Sequence, residues 1–285
     1  MRKVALLLAC ASLFACSSES NEPTETTEAV RPAAVTFDGA DYGDDEAAKI
    51  AHGDRLASVL LCRGCHMPDL TGTDMGKYDP ELSGVIASNL TRAVPELDDR
   101  ALHMVLRKGT HPKRDDFWMM PSKIYQHVSD ADMQALMAYL RTLEPAGEEL
   151  PLTQLNEGLR AAHEAGEFPT VAEEVALHRE TQPRDLGATH RLGRYVATTV
   201  CADCHGPALE GSGDFAPNLI DMAPMYGEEG LNALLTTGAG LDGRELDLMA
   251  FVGAELTSKM TDNERAALVA YLLSLSEAQM AEGPQ

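Results

Sequence analysis

Two stretches of this chain, "LLCRGCHMPDLTG" at 60–72 and "TVCADCHGPALEG" at 199–211, hold one cluster in duplicate. Each has two cysteines three positions apart and a histidine directly after the second: Cys62, Cys65 and His66, then Cys201, Cys204 and His205. The chain has six cysteines in all, so four of them are committed to this pattern. Two thiols one helical turn apart with an adjacent imidazole suit three chemistries. They can form thioethers to the two vinyl groups of a porphyrin, with the imidazole on its iron. Paired with the second cluster, they can supply four thiolates to one zinc ion. Alternatively, each pair can be a redox-active disulfide in an oxidising compartment. Zinc and disulfide both leave the repeated histidine without a task. A thioredoxin-like motif also calls for a βαβ setting, which this sequence lacks. The cluster is therefore read as a c-type haem attachment signature, present twice.

The elements around the clusters repeat as well. "HGDRLASVLLC" leads into the first and "LGRYVATTVC" into the second, with a one-residue difference in spacing. Downstream, "SNLT" at 88–91 matches "PNLI" at 217–220, and "VSDADMQALMAYLRTL" (128–143) matches "MTDNERAALVAYLLSL" (260–275). The last pair predicts two amphipathic helices. Ser129 and Thr261 are N-cap residues, with Asp132 and Glu264 three positions on, a full capping box only in the second. Apolar residues recur at helical spacing, Met133, Leu136, Met137 and Leu140 in one and Ala267, Leu268, Leu272 and Leu275 in the other. Each half thus begins with a helix running into its cluster and closes with a helix. Little strand character lies between, which predicts two tandem copies of one all-α module. Expected boundaries are 45–146 for the first module and 185–285 for the second. Between them, 147–184 is expected to be a linker with short helices. Aromatic residues are sparse, with one Trp, six Phe and seven Tyr, which suits cores completed by a large apolar group from outside.

Residues 1–15 read as an export signal, with Arg2 and Lys3 before the apolar "VALLLACASLFAC". "LFAC" is similar to the bacterial lipobox, which makes Cys16 the expected lipidated first residue of the mature chain. Residues 16–44, rich in Ser, Thr, Glu and Pro, are expected to form a flexible acidic tether. The protein is accordingly expected outside the cytoplasm, facing the periplasm and lipid-anchored to a bacterial membrane. A net charge of −22 argues against nucleic-acid binding and favours basic partners.

On "CRGCH" and "CADCH", "NL" after each, "MPSKIY", "DMQALMAYLRTL" and "ERAALVAYLLSL", the chain resembles the dihaem, tandem-module members of the class I cytochrome c superfamily. The resemblance covers about 45–145 and 185–285. It implies small helical modules whose first and last helices cross, each around one covalently bound haem c. It also implies a Met ligand from a loop before the last helix. In the first module the candidates are Met75, Met104, Met119, Met120, Met133 and Met137, along with His103, His111 and His127; Met133 and Met137 fall on the closing helix, and the family's "MP" pattern favours Met120, with Met119 its competitor. In the second module no histidine follows His205, and His190 belongs to the leading helix, so a thioether is expected. Met249 matches the position of Met120, though without the following Pro, and Met225 is the alternative. The resemblance implies one-electron transfer without substrate chemistry, between a redox donor and acceptor such as a dehydrogenase or an oxidase. A dihaem peroxidase with one open iron, and a cytochrome subunit docked to a membrane dehydrogenase, are the alternative readings.

Overall fold

The computed structural model describes residues 34–114, 117–213 and 215–283. The expected signal peptide, Cys16 and most of the tether lie outside these residues. The first module runs through helix α1 (Glu46–Val59), α2 (Cys62–Cys65), a two-stranded hairpin of β1 (Thr73–Asp74) and β2 (Ile86–Ala87), then α3 (Leu90–Ala93), α4 (Asp99–Lys108), α5 (Ser122–Tyr125) and α6 (Asp130–Arg141). Two short helices follow, α7 (Glu157–Glu164) and α8 (Val171–Leu177). The second module comprises α9 (Arg191–Val196), α10 (Ala202–His205), α11 (Leu219–Thr237), α12 (Asp247–Phe251) and α13 (Asp262–Glu282). The fold is all-α as expected, with β1–β2 the one sheet among the described residues. Among the described residues, no helix is long and apolar enough to cross a membrane.

In each module the leading helix crosses the closing one, and a glycine sets the distance. A Cβ on Gly53 of α1 would stand 2.0 Å from the Ala135 carbonyl oxygen and 2.8 Å from Tyr139 Cβ of α6. A Cβ on Gly193 of α9 would stand 2.1 Å from the Ala267 oxygen and 2.5 Å from Tyr271 Cβ of α13. Any other residue would push the backbones apart, so the Gly and the Ala–Tyr pair form one repeated contact. The one-residue spacing difference upstream of the clusters also has a local cause. Before Cys62 the extra residue, Leu61, takes a left-handed conformation (φ 65°) that breaks α1 from α2. In the second module the chain passes through a π-helical turn at Ala197–Cys201. There Thr198 and Thr199 donate their hydroxyls to the carbonyls of Arg194 and Tyr195.

The two modules share one compact unit through a reciprocal contact. Arg55, two residues past Gly53, donates from Nη1 and Nη2 to the Glu264 carboxyl of α13 at 2.8 and 2.9 Å. Tyr195, two residues past Gly193, donates its hydroxyl to Asp132 of α6 at 2.7 Å. Asp132 and Glu264 occupy the same place in their helices, and both are fully buried. So each leading helix reaches the closing helix of the other module, an isologous arrangement. Glu264 completes the expected capping box with Thr261. Asp132 does not. Its oxygens accept instead from Phe37 N–H, Ser129 Oγ and Tyr195, with His52 Nε2 at 2.7 Å, while the Ser129 N–H goes to Tyr195 Oη.

Phe37 and Asp38 lie where the two carboxyl groups come together. The Phe37 N–H serves Asp132 and the Asp38 N–H serves Glu264. The Phe37 ring is 1% exposed, its centroid 5.1 Å from that of Tyr195. This corrects the expected extent of the tether. Residues 37–44 belong to the folded body, because one buried aromatic ring and two backbone N–H groups anchor an otherwise polar stretch.

The reciprocal contact yields a stability prediction. Arg55→Met leaves Glu264 buried beside an apolar side chain and should cost roughly 2–4 kcal/mol, less than a fully enclosed pair because Arg55 is partly exposed. The midpoint of chemical denaturation of the holoprotein reads this out. Adding Glu264→Gln, which removes the charge but keeps an oxygen to accept from the Asp38 or Thr261 N–H, should recover part of the loss, whereas additive losses would mean that the pair does not act as a unit.

Candidate functional site: two thiol–imidazole turns

Each cluster sits on a single helical turn, α2 or α10, and the cysteines of each turn are not joined in a disulfide. Cys62 is buried and Cys65 exposed, while Cys201 and Cys204 are half-buried. Burial pushes the Cys62 thiol up to about 11 and those of Cys201 and Cys204 up to about 12. They are therefore protonated at neutral pH, unlike cysteines poised as thiolate ligands or redox nucleophiles. Among the described residues, no three or more His, Cys, Asp or Glu side chains converge on a metal position.

Both histidines are held the same way. His66 Nδ1 lies 2.7 Å from the Ser88 carbonyl oxygen, and His205 Nδ1 lies 2.8 Å from that of Pro217. A carbonyl only accepts, so Nδ1 carries the proton and Nε2 is left with its lone pair. Burial keeps both imidazoles below the usual histidine range, only partly opposed by these bonds, and so favours the neutral ring. A neutral imidazole with its distal nitrogen committed to a backbone carbonyl is an oriented metal ligand.

The loop that delivers each carbonyl is built from repeated parts. Gly72 and Gly211, in left-handed conformations (φ +77° and +93°), donate their N–H to the carbonyls of His66 and His205. Leu70 and Leu209, fully buried, also sit at positive φ. Their carbonyls accept from Leu90 and Leu219. Those leucines follow Asn89 and Asn218, whose side chains cap α3 and α11. The repeated "NL" thus closes the loop behind each histidine. The accepting carbonyl comes 22 residues after His66 but 12 after His205, the excess being taken up by the β1–β2 hairpin.

The methionines are distributed unevenly. Met120 is half-buried against the core, directly before Pro121 and α5. Its neighbour Met119 is 39% exposed at φ 59°. Met249 is half-buried on α12, a helical turn where a loop was expected. Met225 is 61% exposed on α11, and Met260 is buried in the core. Tyr125 escaped the sequence reading although it ends "MPSKIY". Its hydroxyl donates to the Leu60 carbonyl at 2.5 Å and lies 3.8 Å from Cys62 Sγ.

The clusters also lie against the opposite module. A Cβ on Gly64, between Cys62 and Cys65, would stand 3.2 Å from Leu256 Cδ1. Asp203, between Cys201 and Cys204, pairs with Lys123 of α5 at 3.4 Å. Each attachment turn thus packs on the segment that follows the other module's candidate methionine.

A family model described as Cytochrome c matches residues 50–144 and 191–276, so the chain belongs to the cytochrome c family and carries its domain twice. No curated relative matches the chain. The family implies covalently bound haem c, and the residues present fit it. Two protonated thiols per turn suit thioethers, and the free Nε2 of each oriented imidazole suits iron.

Gly72→Ala tests the loop. A Cβ there would stand 2.3 Å from the Ala87 oxygen at a backbone angle that suits glycine, a strain of at least about 1 kcal/mol. The variant should bind haem less completely in the first module, seen as a fall in haem-to-protein ratio toward half its normal value.

Proposed function

We propose that this protein is an exported dihaem electron carrier, with two covalent haems in one chain passing single electrons between redox partners. The observation that carries the reading is the duplicated turn with its histidine Nδ1 tied to a backbone carbonyl. Cys62, Cys65, Cys201 and Cys204 would hold the haems as thioethers, each S–H adding across a vinyl group so that sulfur bonds one carbon and hydrogen the other, and His66 and His205 would offer Nε2 to iron. When bound, haem supplies the one-electron couple. The chain orients the imidazoles, supplies an apolar setting and holds the two sites together. Met120 and Met249 are the residues proposed to hold iron through their thioethers, which would favour the ferrous state and would leave no open position for substrate. Packing of each attachment turn against the other module supports transfer between the two sites within one body.

Donor and acceptor are proposed to be redox proteins, such as a dehydrogenase and an oxidase. The net charge of −22 favours basic docking faces on them. Cys16 is the proposed site of lipidation, which would keep the carrier on the periplasmic face of a membrane.

Acid–acetone extraction should leave the colour with the polypeptide at a haem-to-protein ratio near two, and the reduced protein should not bind carbon monoxide. A ratio of one overturns the dihaem reading, and carbon monoxide binding points to an open iron and an enzymatic role.

The anchor is tested separately. Cys16→Ser should move spectrally normal holoprotein from the membrane to the soluble exported fraction. A variant that stays membrane-bound places the attachment elsewhere.

A further inference from the structure

The segment between the two matched domains, residues 145–190, is outside the family pattern, yet it is closely packed on the first module. It begins on the hairpin behind His66. Thr153 Oγ1 accepts from the Ile86 N–H at 3.0 Å and faces the Ile86 carbonyl at 3.4 Å. Gln154 N–H donates to the Gly84 carbonyl at 2.9 Å, and Asn156 Nδ2 donates to the carbonyls of Glu81 and Ser83. Ile86 lies two residues before Ser88, whose carbonyl holds His66.

The same segment then reaches the opposite end of the site. Phe168 stacks on Trp118, with centroids 5.4 Å apart and planes inclined by 8°, while His163 meets the Trp118 ring edge-on at 4.8 Å. Val171 N–H donates to the Phe117 carbonyl at 2.9 Å, and Val171 and Val175 of α8 are buried against the first module. Lys123 of α5 pairs with Glu174 at 2.9 Å. Trp118 lies two residues before Met120. One continuous strap is therefore fastened two residues from the carbonyl that orients the histidine and two residues from the candidate thioether.

We infer that residues 152–178 are a positioning strap for the methionine side of the first haem site, holding the Met120 loop and the His66 loop in fixed relation through Trp118, Phe168 and Thr153, all remote from the Glu174–Lys123–Asp203 contact with the second module. The inference rests on Met120 being the first iron's thioether ligand. A loop carrying a thioether must hold its sulfur on the iron against thermal motion, and Met119 at φ 59° shows a backbone that needs outside support. Stacked rings and a backbone hydrogen bond on Phe117 and Trp118 provide it. Among the described residues the second module has no such segment. Leu248 and Phe251, which flank Met249, are 53% and 39% exposed. The two sites, alike on the histidine side, therefore differ on the methionine side.

The test uses the full-length holoprotein with Trp118→Ala and Phe168→Ala, read by potentiometric titration and by the weak near-infrared sulfur-to-iron band. One of the two reduction waves should move to lower potential and up to half of the band should be lost, while the other wave stays in place. Trp118→Phe should restore both. If Trp118→Ala does not accumulate as holoprotein, Phe168→Leu and Thr153→Val carry the same readout, since they remove little volume. Two unshifted waves with the full band overturn the strap, as does an equal shift of both waves. Met120→Ala separates the two ideas. If it leaves the band whole, the ligand assignment fails. If it removes half the band while the strap variants change nothing, the ligand stands and the strap falls.

Discussion

An imidazole that has given Nδ1–H to a backbone carbonyl has one nitrogen left, and its direction is fixed by that bond. Much of the architecture on the histidine side of each site serves to place this carbonyl. The left-handed leucine and glycine turn the chain back under the histidine, and the asparagine cap starts the next helix at the required point. The leucine after the cap ties the loop to its own beginning. These parts recur in both modules despite a ten-residue difference in loop length, which the hairpin absorbs without moving the carbonyl. Loop length is free to vary where the ends of the loop are pinned. The return to the histidine is not.

Holding two such sites in one body is a second problem, and the chain solves it with buried charge rather than with apolar area alone. Placing a carboxyl group at the third position of each closing helix costs desolvation, which the partners must offset. One partner of each comes from across the interface, Tyr195 for Asp132 and Arg55 for Glu264. Neither Asp132 nor Glu264 is fully satisfied by its own module, so the modules complete each other. The Phe37–Asp38 backbone supplies one further donor to each. The arrangement favours a single relative orientation, because a displaced module would leave a buried carboxyl without its donors.

Much of this was legible in the residues. The thiol–imidazole clusters, the Asn-Leu pairs and the closing helices with their caps all carry side-chain signatures that repeat. The Gly53 and Gly193 crossings stood in plain view as matched glycines upstream of each cluster. What stayed hidden has a physical pattern. The carbonyls of Ser88 and Pro217 act through backbone, which carries no residue signature. Leu70 and Leu209 adopt a conformation their type does not advertise. Arg55 and Tyr195 occupy equivalent positions but are unlike residues, so comparing the halves could not pair them. Phe37 and Tyr42 are the two aromatics of a polar stretch, where composition predicts disorder and one buried ring with one hydroxyl on the Ala131 carbonyl decides otherwise. Met249 was expected on a loop but lies on the short helix α12, where Ala250 packs closely on Gly238.

The reciprocal contact also determines whether one half of the chain can stand in for the other. Asp132 already has His52 from its own module, so it meets a neutral tyrosine across the interface. Glu264 has Leu192 where the first module has His52, so its side-chain partner comes from outside as Arg55. A chain made of two first halves would crowd an arginine and a histidine onto one aspartate. A chain made of two second halves would bury a glutamate with only a tyrosine hydroxyl in place of the cation. Though alike in fold, the halves are complementary and not interchangeable, and each can diverge only as far as the other follows.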